Sequence, residues 1–118
     1  MYVQGFLIAV PVDNKEAYRS LAERAAEKFA EYGVTEIVEA WEEDVSDGKT
    51  TDFRMATKAE DGEKIVFSWM IWPDKQTCLA AHARMQDDAF WDEMTEMPFD
   101  GARMIFGGFS PIFTMGRE

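Results

Sequence analysis

The sequence predicts an α+β domain in the order strand, helix, strand, strand, helix, strand, and three observations carry that prediction. Two strand-like runs, Tyr2–Val10 and Ile65–Trp72, are apolar almost throughout. Between them, Lys15–Tyr32 places Tyr18, Leu21, Ala22, Ala25, Phe29 and Tyr32 at i, i+3, i+4, i+7, i+11 and i+14, one helical stripe. Turn and cap residues, chiefly Pro11, Gly33, Asp61–Gly62 and Pro73, separate the periodic segments.

Taken in order, the first run ends at Pro11, and Asp13 or Asn14 can cap the helix that follows. That helix carries Arg19, Glu23, Glu27 and Glu31 on its polar side, and Gly33 closes it. In "TEIVEAWEEDV", Ile37, Val38, Ala40 and Trp41 stand among acids, which suits an edge strand, because glutamates on both faces are costly in mid-sheet. Asp47–Gly48 and Asp61–Gly62 are turn signals. The segment between them, "TDFRMATKAEDGE", fits a short strand, a helical turn or a loop. "KIVFSWMIWP" is a strand ended by Pro73. Asp74 caps a second helix, Lys75 to about Gln86, and "DDAFWDEMTEMPFDG" leads to a last strand from about Arg103 to Met115. The order is the ferredoxin-like βαββαβ pattern, an antiparallel sheet with two helices on one face.

Two helices cover one face only, yet Ile65, Phe67, Trp69 and Ile71 point one way while Val66, Met70 and Trp72 point the other. A sheet with one wet face should alternate apolar with polar residues. The remaining face therefore needs a cover, and a second copy of the chain, sheet against sheet, is the expected one. The sequence predicts a homodimer.

At 118 residues, 47% hydrophobic and 14% aromatic, residues 1–118 form a single globular domain. Twelve basic against 23 acidic residues give a net charge of −11, which disfavours nucleic acid and anionic membrane surfaces as partners. The start, "MYVQGFLIAVPVDN", lacks a basic leader region, and no run approaches the ~18 apolar residues of a membrane span. Cys78 is the lone cysteine, so no internal disulfide can form. A cytoplasmic location is expected.

Four residues are candidates for binding a small molecule. Gly107 and Gly108, adjacent in the last strand, make room for a bulge, a neighbouring ring or a ligand lying on bare backbone. Arg103, after the Asp100–Gly101 turn, either pairs with one of the many carboxylates or holds an anionic ligand at the mouth of the fold. Trp69, on a central strand, suits a planar-ligand pocket, whereas Trp41, Trp72 and Trp91 read as core or interface. Cys78 and His82, at i and i+4, share a helix face, but the chain has no other histidine or cysteine to complete a zinc site, and packing is the simpler reading. No metal or cofactor is expected. The acidic run "DDAFWDEMTE" lacks the ligand spacing of a calcium loop.

"YVQGFLIAVP", "VFSWMIWPD" and "MPFDGARMIFGGF", in that order along nearly the whole chain, resemble the YbaA-like proteins, a bacterial family of unknown function. The resemblance implies a dimeric α/β barrel, two sheets closing around a shared interior, and implies no assigned reaction. Ala102 and Phe106 depart from the family pattern, which commonly has lysine and tyrosine there.

The expected function is thus a homodimer that binds a small molecule inside the barrel. One alternative is a cofactor-independent oxygenase or isomerase, a fold-level analogy for which His82 is the acid–base candidate. Another is a purely structural or partner-binding module.

Overall fold

The structure, a computed structural model, describes residues 1–117. Its four strands are β1 (Tyr2–Pro11), β2 (Glu36–Trp41), β3 (Glu63–Trp72) and β4 (Ile105–Phe109). They form one sheet in the order β2-β3-β1-β4, and every neighbouring pair is antiparallel. Helices α1 (Lys15–Tyr32) and α3 (Lys75–Asp87) pack on one face, and a short helix, α2 (Phe53–Thr57), lies between β2 and β3 in the chain.

The centre of the sheet is the pairing of β1 with β3, which runs without interruption from Tyr2 opposite Trp72 to Pro11 opposite Glu63. On the helix side, Ile8, Val10 and Val66 enclose Tyr18 of α1, and Trp72 packs with Tyr32, Cys78 and Ala81. Val10 and Trp72 are wholly buried. These positions alternate with Val3, Leu7, Phe67, Trp69 and Ile71 on the opposite, open side, as the period of two in a strand requires.

Helix α1 has the expected bounds, and Gly33 closes it in the left-handed conformation at φ 113°, with its N–H and that of Val34 returning to the last turn. Its beginning differs from expectation. Asn14 caps nothing with its side chain; its amide donates to the Pro98 carbonyl at 2.9 Å and so pins the connector after α3 against α1. Asp74 does cap α3, accepting from the Thr77 N–H and hydroxyl, and Asp52 caps α2 by accepting from Met55 N–H.

Two expectations are corrected. The last strand is short: pairing stops at Phe109, and residues 110–117 leave the sheet edge because Pro111 can offer no ladder N–H. The open face, expected to find no cover within the chain, is partly covered by it. Phe53 of α2 packs edge-on against Phe67, with ring centroids 6.1 Å apart, and Ile65 is buried. At the other end the tail crosses toward β2, where Arg117 pairs with Glu36 at 2.8 Å. The first cover lies in the segment that fits a strand, a helical turn or a loop, and the helical turn is what forms; the second lies in the stretch expected to continue the last strand.

The C-terminal end of α3 is tied to α1 by a polar knot. Asp88 accepts from the Tyr32 hydroxyl at 2.6 Å and pairs with Lys28 at 2.9 Å, while Trp91 Nε1 donates to the same hydroxyl. The Tyr32 hydrogen bond, then Lys28 and the Phe90 N–H, hold the Asp88 carboxyl down to about 2. An unfolded aspartate titrates near ~3.9, so this stabilisation is complete above that pH and disappears as pH falls through about 2. Asp88→Asn should therefore lower the melting temperature at pH 7, and the gap from the unsubstituted protein should close as pH approaches 2. Thermal melts at both pH values test this; an equal gap at both would contradict it.

Candidate functional site

The four candidate residues fall in three places. Trp69 lies on the open face and lines a cleft of about 580 Å³ with Val3, Gly5, Phe67, Phe109 and the tail residue Phe113. Its indole N–H donates to Glu36 Oε2 at 2.8 Å, the oxygen that Arg117 also contacts, so Trp69 presents only its ring to the cleft. Gly107 belongs to the same place. It stands directly opposite Gly5, and the Phe109 ring lies over the pair, 3.4 Å from where a Gly107 Cβ would be.

Gly108 points to the helix side instead. A Cβ there would overlap the Tyr2 hydroxyl and stand 2.5 Å from Cζ of that ring. Pairing of β1 with β4 is regular from Val3–Phe109 to Leu7–Ile105, so the glycines mark no bulge. Each makes room for an aromatic ring of the same chain.

Arg103 sits at the other end of β4, in a single 3-10 turn, Gly101–Arg103, that Asp100 caps. Its fork embraces Glu63, Nη1 on Oε1 and Nη2 on Oε2, both at 2.8 Å. Its Nε donates to Asp100, and Nη1 also reaches the Lys58 carbonyl. Four donor contacts thus go to the protein itself, and the bond to Glu63 is the first cause of the guanidinium's raised pKa. The same bond holds the Glu63 carboxyl below its ordinary range. This geometry is the ion-pair reading of Arg103: it fastens the approach to β4 onto β3 and the turn after α2.

His82 lies on the helix side, away from Trp69. Gln4, buried on β1, accepts from Trp72 Nε1 at 2.8 Å and therefore turns its amide nitrogen to His82 Nε2 at 3.2 Å. That orientation makes Nε2 an acceptor and places the ring proton on Nδ1. Cys78 Sγ is 3.8 Å from the same nitrogen, and burial pushes its thiol up, the reverse of an activated nucleophile. Among the described residues no group of three or more His, Cys, Asp or Glu side chains is arranged to hold a metal ion.

A second cleft, about 460 Å³, opens between α1 and β2, and the sequence reading did not find it. Ala22 and Ala26, four residues apart on one face of α1, leave space opposite Ile37 and Glu39. Trp41 forms one wall, and Lys15 holds its ammonium 5.3 Å from that ring's centroid. The Tyr18 hydroxyl donates to Glu39 Oε1 at 2.6 Å. Desolvation raises the Glu39 carboxyl above its ordinary range, against the pull of the Tyr18 and Ser68 hydroxyls. Desolvation, then the charge of Glu39, likewise pushes the Tyr18 phenol up. The only sequence signal was an acid between two apolar residues, Ile37 and Trp41, on one face of a strand.

The fold and these clefts define a small α+β protein with an apolar cleft on one side of its sheet and an acid-bearing cleft on the other. The chain belongs to the family described as "Protein of unknown function (DUF1428)", whose model matches residues 1–101. It is 54% identical over 112 residues to the "Uncharacterized protein YbaA" of Escherichia coli strain K12, covering 94% of this chain and 96% of that one. Relatives of the same printed name in E. coli O157:H7 and Shigella flexneri match with the same identity and coverage. Tyr18, Glu39, Trp41 and Trp69 lie within the span of the family model, and Arg103 lies just beyond it.

Gly108→Ala must displace the Tyr2 ring, whereas Gly107→Ala meets only the edge of the Phe109 ring. The first should cost about 1–3 kcal/mol, as overpacking does, and the second less. Urea midpoints of the two variants check the order, and trimming Tyr2 to alanine in the Gly108 variant should relieve the clash.

Proposed function

We propose that this protein works as a homodimer of the ferredoxin-like, dimeric α/β-barrel kind, two open sheet faces enclosing a chamber for a small apolar molecule. The strand order, with α1 and α3 on one face, supports the ferredoxin-like description. The observation that carries the assembly is the character of the open face. In a chain of net charge −11, Val38 and Ala40 of β2, Phe67, Trp69 and Ile71 of β3, and Val3 and Leu7 of β1 line it. The two strand acids that point to this side, Glu36 and Glu63, are neutralised by Arg117 and Arg103.

The chain's own covers leave a stripe unshielded. Phe67 is 47% exposed, Phe109 61% and Phe113 81%, while Ile112 is fully exposed. A second copy related by a two-fold axis offers the same charge-poor surface and satisfies both stripes at once. The chamber in this reading is the Trp69 cleft of each copy, roofed by the partner. Its lining is mostly aromatic and aliphatic, with Ser110, Thr114 and the Glu36-paired Arg117 among the tail residues, which suits a flat, largely apolar ligand.

Native mass spectrometry tests the reading directly. The expected species is twice the 13.5 kDa chain, with retained small-molecule mass. Phe67→Glu should give monomer, because it sets a charge in the middle of the stripe. A wild-type monomer at micromolar concentration would overturn the assembly, and a dimer that binds no apolar probe would overturn the chamber.

A further inference from the structure

The acid-bearing cleft lacks one partner. Four glutamates on or beside the strands show how this chain treats such groups. Glu36 pairs with Arg117, Glu42 with Arg54 at 2.6 Å, and Glu63 with Arg103. In Glu42 the push of burial is outweighed by the Ile65 N–H and the Arg54 guanidinium, so its carboxyl ends below its ordinary range. Glu39 is the exception: it takes part in none of the ion pairs among the described residues. Its partner is instead the Tyr18 hydroxyl, a neutral donor.

The surroundings specify what would complete it. Trp41, two residues along β2 on the same face, presents a ring that already accepts a cation, the Lys15 ammonium. Lys15 itself does not come within ion-pair distance of Glu39. Inward, the cleft meets a smaller apolar cavity of about 160 Å³, and the two share Tyr18, Ala22, Ile37 and Glu39. The inner cavity is lined by Phe6, Leu21, Phe29, Met70 and Phe99, among others, and has the size that accommodates a benzene ring. Arg19, at the rim of the cleft, is paired with Glu16 and Glu23, so an anion entering past it would meet Glu39, and a fully apolar molecule would leave that carboxylate without a cation.

We infer that the cleft between α1 and β2 binds a primary ammonium group carried on a phenyl-sized apolar body, the ammonium between Glu39 and Trp41 and the body in the inner cavity. The site lies on the helix side of the sheet and does not depend on the dimer or on the Trp69 chamber. Tyr18 orients the carboxylate, and Ala22 and Ala26 supply the space.

Titration with 2-phenylethylamine at pH 7, followed by chemical shifts of the Glu39 amide and the Trp41 indole, tests this, with 2-phenylethanol as the neutral counterpart. Saturable amine binding is expected, with the alcohol about 10-fold weaker or more, as a charge-assisted bond warrants. Glu39→Gln should weaken the amine by a similar factor of about 10 and leave the alcohol unchanged. Lys15→Met should tighten the amine by clearing the Trp41 face. No saturable amine binding, equal binding of amine and alcohol, or full amine affinity in Glu39→Gln would each overturn the assignment. The alcohol comparison uses the unsubstituted protein and so stands even if a variant fails to fold.

Discussion

The ten-pair antiparallel match of β1 to β3 is the constraint from which the rest of the architecture follows. Both strands are apolar on both sides, so their pairing creates two surfaces that water disfavours. The helix side is covered by α1 and α3, with Tyr18 and Trp72 as the large buried pieces. The open side is covered only at its ends, by α2 and by the tail. β2 and β4 are add-ons to this pair, and both clefts arise where an add-on meets a cover that does not fill its space.

Polar contacts hold the covers in place. Arg103 joins β4, β3 and the end of α2 in one fork, and Arg117 fixes the tail to β2 through Glu36. Lys28, Tyr32 and Asp88 join the two long helices. Four of the chain's acids, Glu36, Glu42, Glu63 and Asp88, are thus ends of ties whose cationic partners come from other segments. Glu39 stands apart because its tie is to a phenol and because the neighbouring helix face is alanine.

Much of this was legible in the residues. The stripe from Tyr18 to Tyr32 and Gly33 after it define α1 to the residue, and the two-faced character of Ile65–Trp72 is real. Asp74 and Pro73 mark the start of α3 for the reason expected, a side-chain cap after a strand stop. What the chain does after Phe109 was not legible, since Ile112, Phe113 and Met115 read as strand but never pair. The candidate site was half legible. Trp69 and the glycines lie where a ring or ligand is accommodated, but Arg103 meets Glu63, forty residues away, a partner no local pattern reveals. Glu39 was hidden for the same reason: its importance depends on which acids find a cation and which do not.

Cys78 is 2% exposed beneath α3, and it is the chain's lone thiol. A buried thiol with a raised pKa reacts only when its helix lifts from the sheet, so alkylation of this protein is a clock for that single event. The rate would report the local opening of the α3 side without any label, and comparing it with global unfolding would separate the motion of one helix from the loss of the β1–β3 pair.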